Sequence, residues 1–246
     1  YMKIVEPYLD YNFPINIEQV DNRLQRESEL ILGYEFLRNQ YGLQKDSSRK
    51  KSKGRPDFLF EYAGKKIWIE VVTPSRISDE KFGFYEEIES DIKEYKLRIS
   101  SDIGGKKDGY TEYQNKNIVA LSDIKIICLN TYNLNPGMKS CPFIASVLYG
   151  KKEVWVVDPA THKVETEFLT HELISKSNGT EIDMGLFDQV DYQFIDGVLW
   201  FDYSLGTICP EKCNILFLAN QGRREKFGDL FSHWERIFYE NDKCLI

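Results

Sequence analysis

Apolar residues recur at helical steps early in the chain: Val20, Leu24, Ile31 and Tyr34 share one side of a segment from Ile17 to Gln40, and Gly42 supplies a stop. A helix is predicted there, with Glu27 set in the middle of its apolar stripe. Two β-rich runs follow, Asp57 to Tyr62 and Lys66 to Thr73, joined by Ala63-Gly64-Lys65 in the pattern of a hairpin. Pro74 closes the second strand because it has no ladder donor. The polar stretch from Asp79 to Asn117 predicts a helix in its Glu- and Lys-rich part, with Gly104-Gly105 weakening its middle. Ile124 to Asn130 reads as a buried strand, as do Glu153 to Val157, Gly197 to Tyr203 and Asn214 to Ala219; Gly228 to Tyr239 predicts a short closing helix. No segment between these elements has linker composition, so the expectation is one continuous α/β domain over residues 1–246.

Composition bounds the class. With 246 residues, 42% of them hydrophobic and 14% aromatic, the chain buries a real core, which excludes disorder, coiled coil and a disulfide-dense mini-protein. No apolar run approaches the roughly 20 residues that cross a bilayer, and Tyr1-Met2-Lys3 leads into polar residues, not a signal core. Cys128, Cys141, Cys209, Cys213 and Cys244 are odd in number and scattered, which fits a reducing compartment. A soluble, cytoplasmic protein with no membrane partner is expected.

Charge changes the picture more. The net charge of −7 weighs against nucleic acid, but the window from Lys45 to Arg55 sets six basic residues against Asp46 alone, a local +5, and leaves the other 235 residues at −12. Arg49, Lys50, Lys51, Lys53 and Arg55 alternate there with Ser and Gly, so the run reads as a surface loop with no apolar face. An interaction tail and an inserted loop both fit. Its place immediately before Asp57 makes those residues candidate phosphate contacts.

In the second hairpin strand alternation puts Lys66, Trp68, Glu70 and Val72 on one face and Ile67, Ile69 and Val71 on the other. Glu70 is then a carboxylate in an apolar strand, and an unpaired charge in a core costs several kcal/mol, so it requires a cation, a metal or hydrogen bonds. Asp57 opens the partner strand and can lie close to it across the hairpin. Two adjacent carboxylates repel, and a hard divalent cation with oxygen ligands is the natural remedy.

Pro56-Asp57, twelve intervening residues, then Glu70-Val71-Val72 is similar to the PD-(D/E)xK nuclease signature. The resemblance implies a restriction-endonuclease-like core over residues 17–130: a helix, a three-stranded meander, a helix and a strand, forming a mixed central sheet flanked by helices, with 131–246 as a C-terminal extension of the same fold. It implies that Asp57 and Glu70 hold Mg2+, with Mn2+ as a substitute, and that the Val71 carbonyl is a third ligand. Glu27 would be the carboxylate from the first helix, against the alternative of a salt bridge to Arg23. The activity implied is hydrolysis of phosphodiester bonds of DNA or RNA by an endonuclease, and homodimers are frequent among such enzymes.

One position departs from the signature: its lysine is Val72, which can neither activate water nor offset charge. Arg98, Asp102, Lys106 and Tyr110 stand at steps of four on the following helix, so Lys106 is the candidate replacement and Arg98 a candidate phosphate contact. Gly104-Gly105 either permits close approach of a ligand or breaks that helix. The alternatives are a catalytically inactive module of the same fold that binds nucleic acid or a protein, and a structural protein in which Glu70 is merely salt-bridged. Cys209 and Cys213 lack zinc spacing, and His162, His171 and His233 lie far apart.

Overall fold

A computed structural model of the chain describes residues 2–9, 20–45, 54–75, 86–134, 141–157, 164–170, 173–176, 178–205, 215–220, 223–240 and 243–245. The elements in order are α1 (Met2–Val5), α2 (Val20–Arg38), β1 (Phe58–Tyr62), β2 (Lys65–Val72), α3 (Glu86–Asn115), β3 (Ile124–Asn130), α4 (Cys141–Tyr149), β4 (Lys151–Val157), β5 (Val164–Thr170), β6 (Leu173–Ser175), β7 (Glu181–Asp183), β8 (Gly197–Phe201), β9 (Leu216–Ala219), α5 (Arg224–Phe227), β10 (Glu235–Glu240) and β11 (Lys243–Leu245). Contacts group them into two compact units: Tyr1–Arg76, Asp102–Asn133 and Phe194–Ile246 in the first, Ile77–Ser101 and Leu134–Gln193 in the second.

The first unit is a mixed α/β layer. Its sheet has the order β1-β2-β3-β8-β9-β10-β11. β1 and β2 form the antiparallel hairpin, β3 runs parallel to β2 and β8 parallel to β3, while β9 is antiparallel to β8. Strand alternation sends Ile67, Ile69 and Val71 to one face, where with Ile126, Cys128, Leu199 and Phe217 they meet Leu30, Ile31, Leu32 and Phe36 of α2. Gly33 lets α1 and the hairpin close on α2, because a Cβ there would stand 2.5 Å from Val5 and 3.2 Å from Phe58. The opposite face carries Trp68 and Glu70 under the C-terminal part of α3: the Tyr110 hydroxyl lies 2.8 Å from both the Trp68 and the Ile126 carbonyl oxygens, tying the helix to β2 and β3.

Three expectations change. Against the three-stranded meander that the resemblance implies, the described residues show two strands and an antiparallel bridge from Leu43 to Phe60. The polar, basic run after Lys45 offers no alternating apolar residues to extend it. Gly104 and Gly105 leave α3 unbroken. Gly228 to Tyr239 is not a helix: Gly228 and Phe231 adopt φ of +51° and +63°, and β10 pairs in parallel with β9. Phe231 and Trp234 stack instead at 5.5 Å, beside Tyr41 and Phe36.

The second unit contains Glu86–Ser101 of α3, the apolar helix α4, the antiparallel pairs β4–β5 and β6–β7, and two short 3-10 turns at Leu186–Asp188 and Val190–Tyr192. Tyr149 meets Phe187 edge-on at 5.4 Å, and the Lys96 ammonium lies 5.8 Å over the Phe143 ring. Among the described residues no helix is long and apolar enough to cross a membrane.

Candidate active site

The site begins where β2 outruns β1. Pairing in the hairpin runs from Tyr62 against Lys65 to Phe58 against Ile69. Asp57, one residue before that pairing begins, reaches the edge of β2 beside Glu70. Beyond Phe58 no backbone of β1 remains to complete the edge of β2, so side chains do it. Asp57 Oδ2 accepts the Val71 N–H at 2.7 Å. The Gln25 carboxamide donates to the Val71 carbonyl at 3.0 Å and accepts the Thr73 N–H at 2.9 Å. Ser28 of the same helix bonds the Thr73 hydroxyl at 2.7 Å and accepts from Asn130 at 2.8 Å.

Glu70 is 4% exposed. The Lys106 ammonium donates to its Oε2 at 2.7 Å and the Tyr113 phenol faces the same carboxylate, while its Oε1, also buried, has no hydrogen-bond partner within 3.5 Å. Burial, then the neighbouring Asp57 charge, pushes the Glu70 carboxyl up to about 7 against the opposing pull of Lys106. Glu29, 3% exposed, behaves likewise: burial and Asp57 raise it to about 7, although Arg26 contacts it at 2.9 Å and Gln25 at 3.1 Å. Burial works against the Lys106 ammonium, but Glu70, Asp57 and Glu29 outweigh it and lift the lysine above its usual value. Burial and the Glu70 charge drive the Tyr113 phenol far above its ordinary range.

The sequence-predicted residues divide into those brought together and those not. Lys106 meets Glu70, and Asp57 is near enough for its charge to act on both. The Val71 carbonyl sits beside them, engaged by Gln25. Glu27 turns away: it pairs with Arg23 at 3.5 Å and accepts the Leu205 N–H at 3.3 Å. The helix carboxylate beside Asp57 is Glu29, which sequence reading passed over. A signal for it exists, since Glu29 directly precedes the wholly apolar run Leu30-Ile31-Leu32, where α2 is buried on more than one side. Arg55 is half-buried with no partner for its Nε. Arg98 belongs to the stretch of α3 in the second unit. Arg49, Lys50, Lys51 and Lys53 lie outside the described residues.

Two other polar features of this unit are structural in character. Asp196, fully buried, accepts the Lys226 ammonium at 2.6 Å and the Lys125 N–H at 2.8 Å. Lys125 in turn caps the Asp123 and Leu121 carbonyls at 2.6 and 3.2 Å, and Asp123 receives the Trp68 indole N–H at 2.8 Å. A cavity of about 430 Å³ opens at the hairpin turn, lined by Lys65, Lys66, Asn117 and Asp123, away from Asp57 and Glu70.

Among the described residues no group of three His, Cys, Asp or Glu side chains stands in metal-holding geometry. The residue types are nonetheless those a hard divalent cation takes: the Asp57 and Glu70 carboxylates, the Asp57 charge raising the proton affinity of Glu70, the adjacent Val71 carbonyl, and a buried Glu70 oxygen with no close hydrogen-bond partner. No protein-family model matches the chain, and no curated protein or solved structure matches it either.

Proposed function

We propose that the chain is a metal-dependent phosphodiesterase acting on DNA or RNA, built on a restriction-endonuclease-like core. The observation that carries the reading is the Lys106 ammonium 2.7 Å from Glu70 Oε2: a cation from α3 occupies the role that Val72 cannot fill. The order of helix, hairpin, helix and parallel strand around it supports the same reading.

Asp57, Glu70 and the Val71 carbonyl would hold a divalent cation, Mg2+ or Mn2+, which when bound supplies Lewis acidity and a more acidic water. Lys106 provides a fixed positive charge toward which a phosphoryl group is drawn and against which charge developing during in-line displacement is stabilised. Glu29, raised to about 7, is suited to take a proton near neutrality. Residues Lys45 to Arg55 would meet the nucleic-acid backbone, a contact that weakens steeply with salt.

The test is cleavage of single-stranded and duplex DNA and RNA with Mg2+ or Mn2+. Asp57→Ala, Glu70→Gln and Lys106→Ala should each lower the rate by about 100-fold or more. Salt-sensitive binding without cleavage in any metal would replace the enzyme with a binding module of the same fold, a reading favoured by Val72 at the lysine position of the signature.

A further inference from the structure

We propose that Gln25 is a positioning residue of this centre, its single carboxamide orienting the Val71 carbonyl, one of the proposed metal donors, and the Glu29 carboxylate, the proposed proton acceptor. The inference rests on the metal-centre reading above. An amide side chain has two N–H donors and one carbonyl acceptor. All three groups are engaged: Nε2 donates to Val71 O at 3.0 Å and to Glu29 Oε1 at 3.1 Å, while Oε1 accepts the Thr73 N–H at 2.9 Å. Swapping the amide would set oxygen against two oxygens and N–H against N–H, so only one orientation is allowed.

The reason for a side chain here is topological. β1 stops at Phe58 and β2 continues to Val72, leaving an open edge at the point where the carboxylates gather. Asp57 completes one position of that edge through the Val71 N–H, and Gln25 completes the next two. Among the described residues the edge is thereby held without a third strand covering the carboxylates. Gln25 and Glu29 are one helical turn apart on α2, so the same turn delivers both the clamp and the third carboxylate.

The decisive variant is Gln25→Glu. It preserves shape and the Thr73 contact but turns oxygen toward Val71 O and Glu29. If charge alone mattered, an added carboxylate would draw a divalent cation more tightly; if positioning matters, the repelled donors splay and binding weakens. Mn2+ binding to the full chain is measured by electron paramagnetic resonance, with Mg2+ by competition and melting in EDTA to establish folding. Wild type should bind, and Gln25→Glu should bind about 10- to 100-fold more weakly. The metal concentration for half-maximal cleavage should rise in parallel, with substrate KM at saturating metal unchanged. Gln25→Ala, which adds no charge, decides by the same criterion if the glutamate variant does not fold. Binding by Gln25→Glu equal to or tighter than wild type overturns the inference and leaves the centre standing. A wild-type protein that binds neither ion overturns both.

Discussion

Lys106 and Glu70 stand 36 residues apart in sequence and 2.7 Å apart in space, joining α3 to β2 through a buried ion pair. Glu70 is nearly inaccessible whereas the Lys106 side chain is 28% exposed, so the two partners are not equivalent. Removing the lysine strands a buried charge; removing the carboxylate frees a lysine that can reach water. Lys106→Met should therefore destabilise the protein by about 3–5 kcal/mol at alkaline pH, whereas Glu70→Gln, which removes a carboxylate whose ionisation burial opposes, should not. The loss in Lys106→Met should shrink in mildly acidic buffer, where Glu70 takes a proton. Urea unfolding at two pH values measures both effects, and equal losses at the two values would count against this account.

The raised carboxyls give the protein a definite pH response. Glu29 and Glu70 ionise near 4.5 in an unfolded chain and near 7 when buried beside Asp57. A raised folded-state value means the folded state binds protons more tightly, so their contribution is complete below about 4.5 and is lost as pH rises through about 7. The melting temperature should fall between those limits, by roughly 2 to 4 °C for each kcal/mol involved in a chain of this size. Glu29→Gln and Glu70→Gln should each flatten the slope. A melting profile flat across that window in the wild type would contradict the assigned burial.

The hairpin, β3 and the Lys106 position were legible because each rests on local chemistry: a glycine turn between alternating strands, an uninterrupted apolar run, and a four-residue step along a helix. Glu29 was not, because the stripe of Val20, Leu24, Ile31 and Tyr34 describes one helix face, and only tertiary packing reveals that α2 is buried on a second. The closing segment misled for a related reason. Leu230, Trp234 and Ile237 recur at helical spacing, yet pairing with β9 overrides that periodicity for Ile237, while Leu230 and Trp234 sit in the turn before β10. In the second unit β6 and β7, three residues each, are too short to carry a pattern, whereas the apolar run in β4 was readable.

Glu27 and Glu29, two residues apart on α2, should respond oppositely to substitution. Glu27 makes a partly exposed pair with Arg23, a contact of the class worth up to about 1 kcal/mol. Glu27→Gln should leave stability and cleavage nearly unchanged. Glu29→Gln removes a buried carboxylate that opposes folding when ionised, so it should stabilise the protein near pH 8 while slowing cleavage about 10-fold or more. A stabilised but slowed variant is the signature of a carboxylate kept for chemistry. Cleavage lost in Glu27→Gln and kept in Glu29→Gln would reverse the assignment.

Tyr110 separates anchoring from chemistry. Its hydroxyl, fully buried, reaches the Trp68 and Ile126 carbonyls and supplies its one hydrogen to either, one turn after Lys106 on the same helix. Burial, followed by the Glu70 and Asp57 charges, raises this phenol well above its usual value, so it stays protonated across the working range and takes no part in proton transfer. Tyr110→Phe keeps the ring and loses one buried hydrogen bond, which should cost about 1 kcal/mol. Because α3 remains packed through the ring, the Lys106–Glu70 pair should survive, and cleavage should drop by less than about 10-fold with its pH profile unmoved, whereas Lys106→Ala alters the rate far more. A shifted pH profile in Tyr110→Phe would instead make the hydroxyl a participant, since a lost anchor alone has no means of moving a titration.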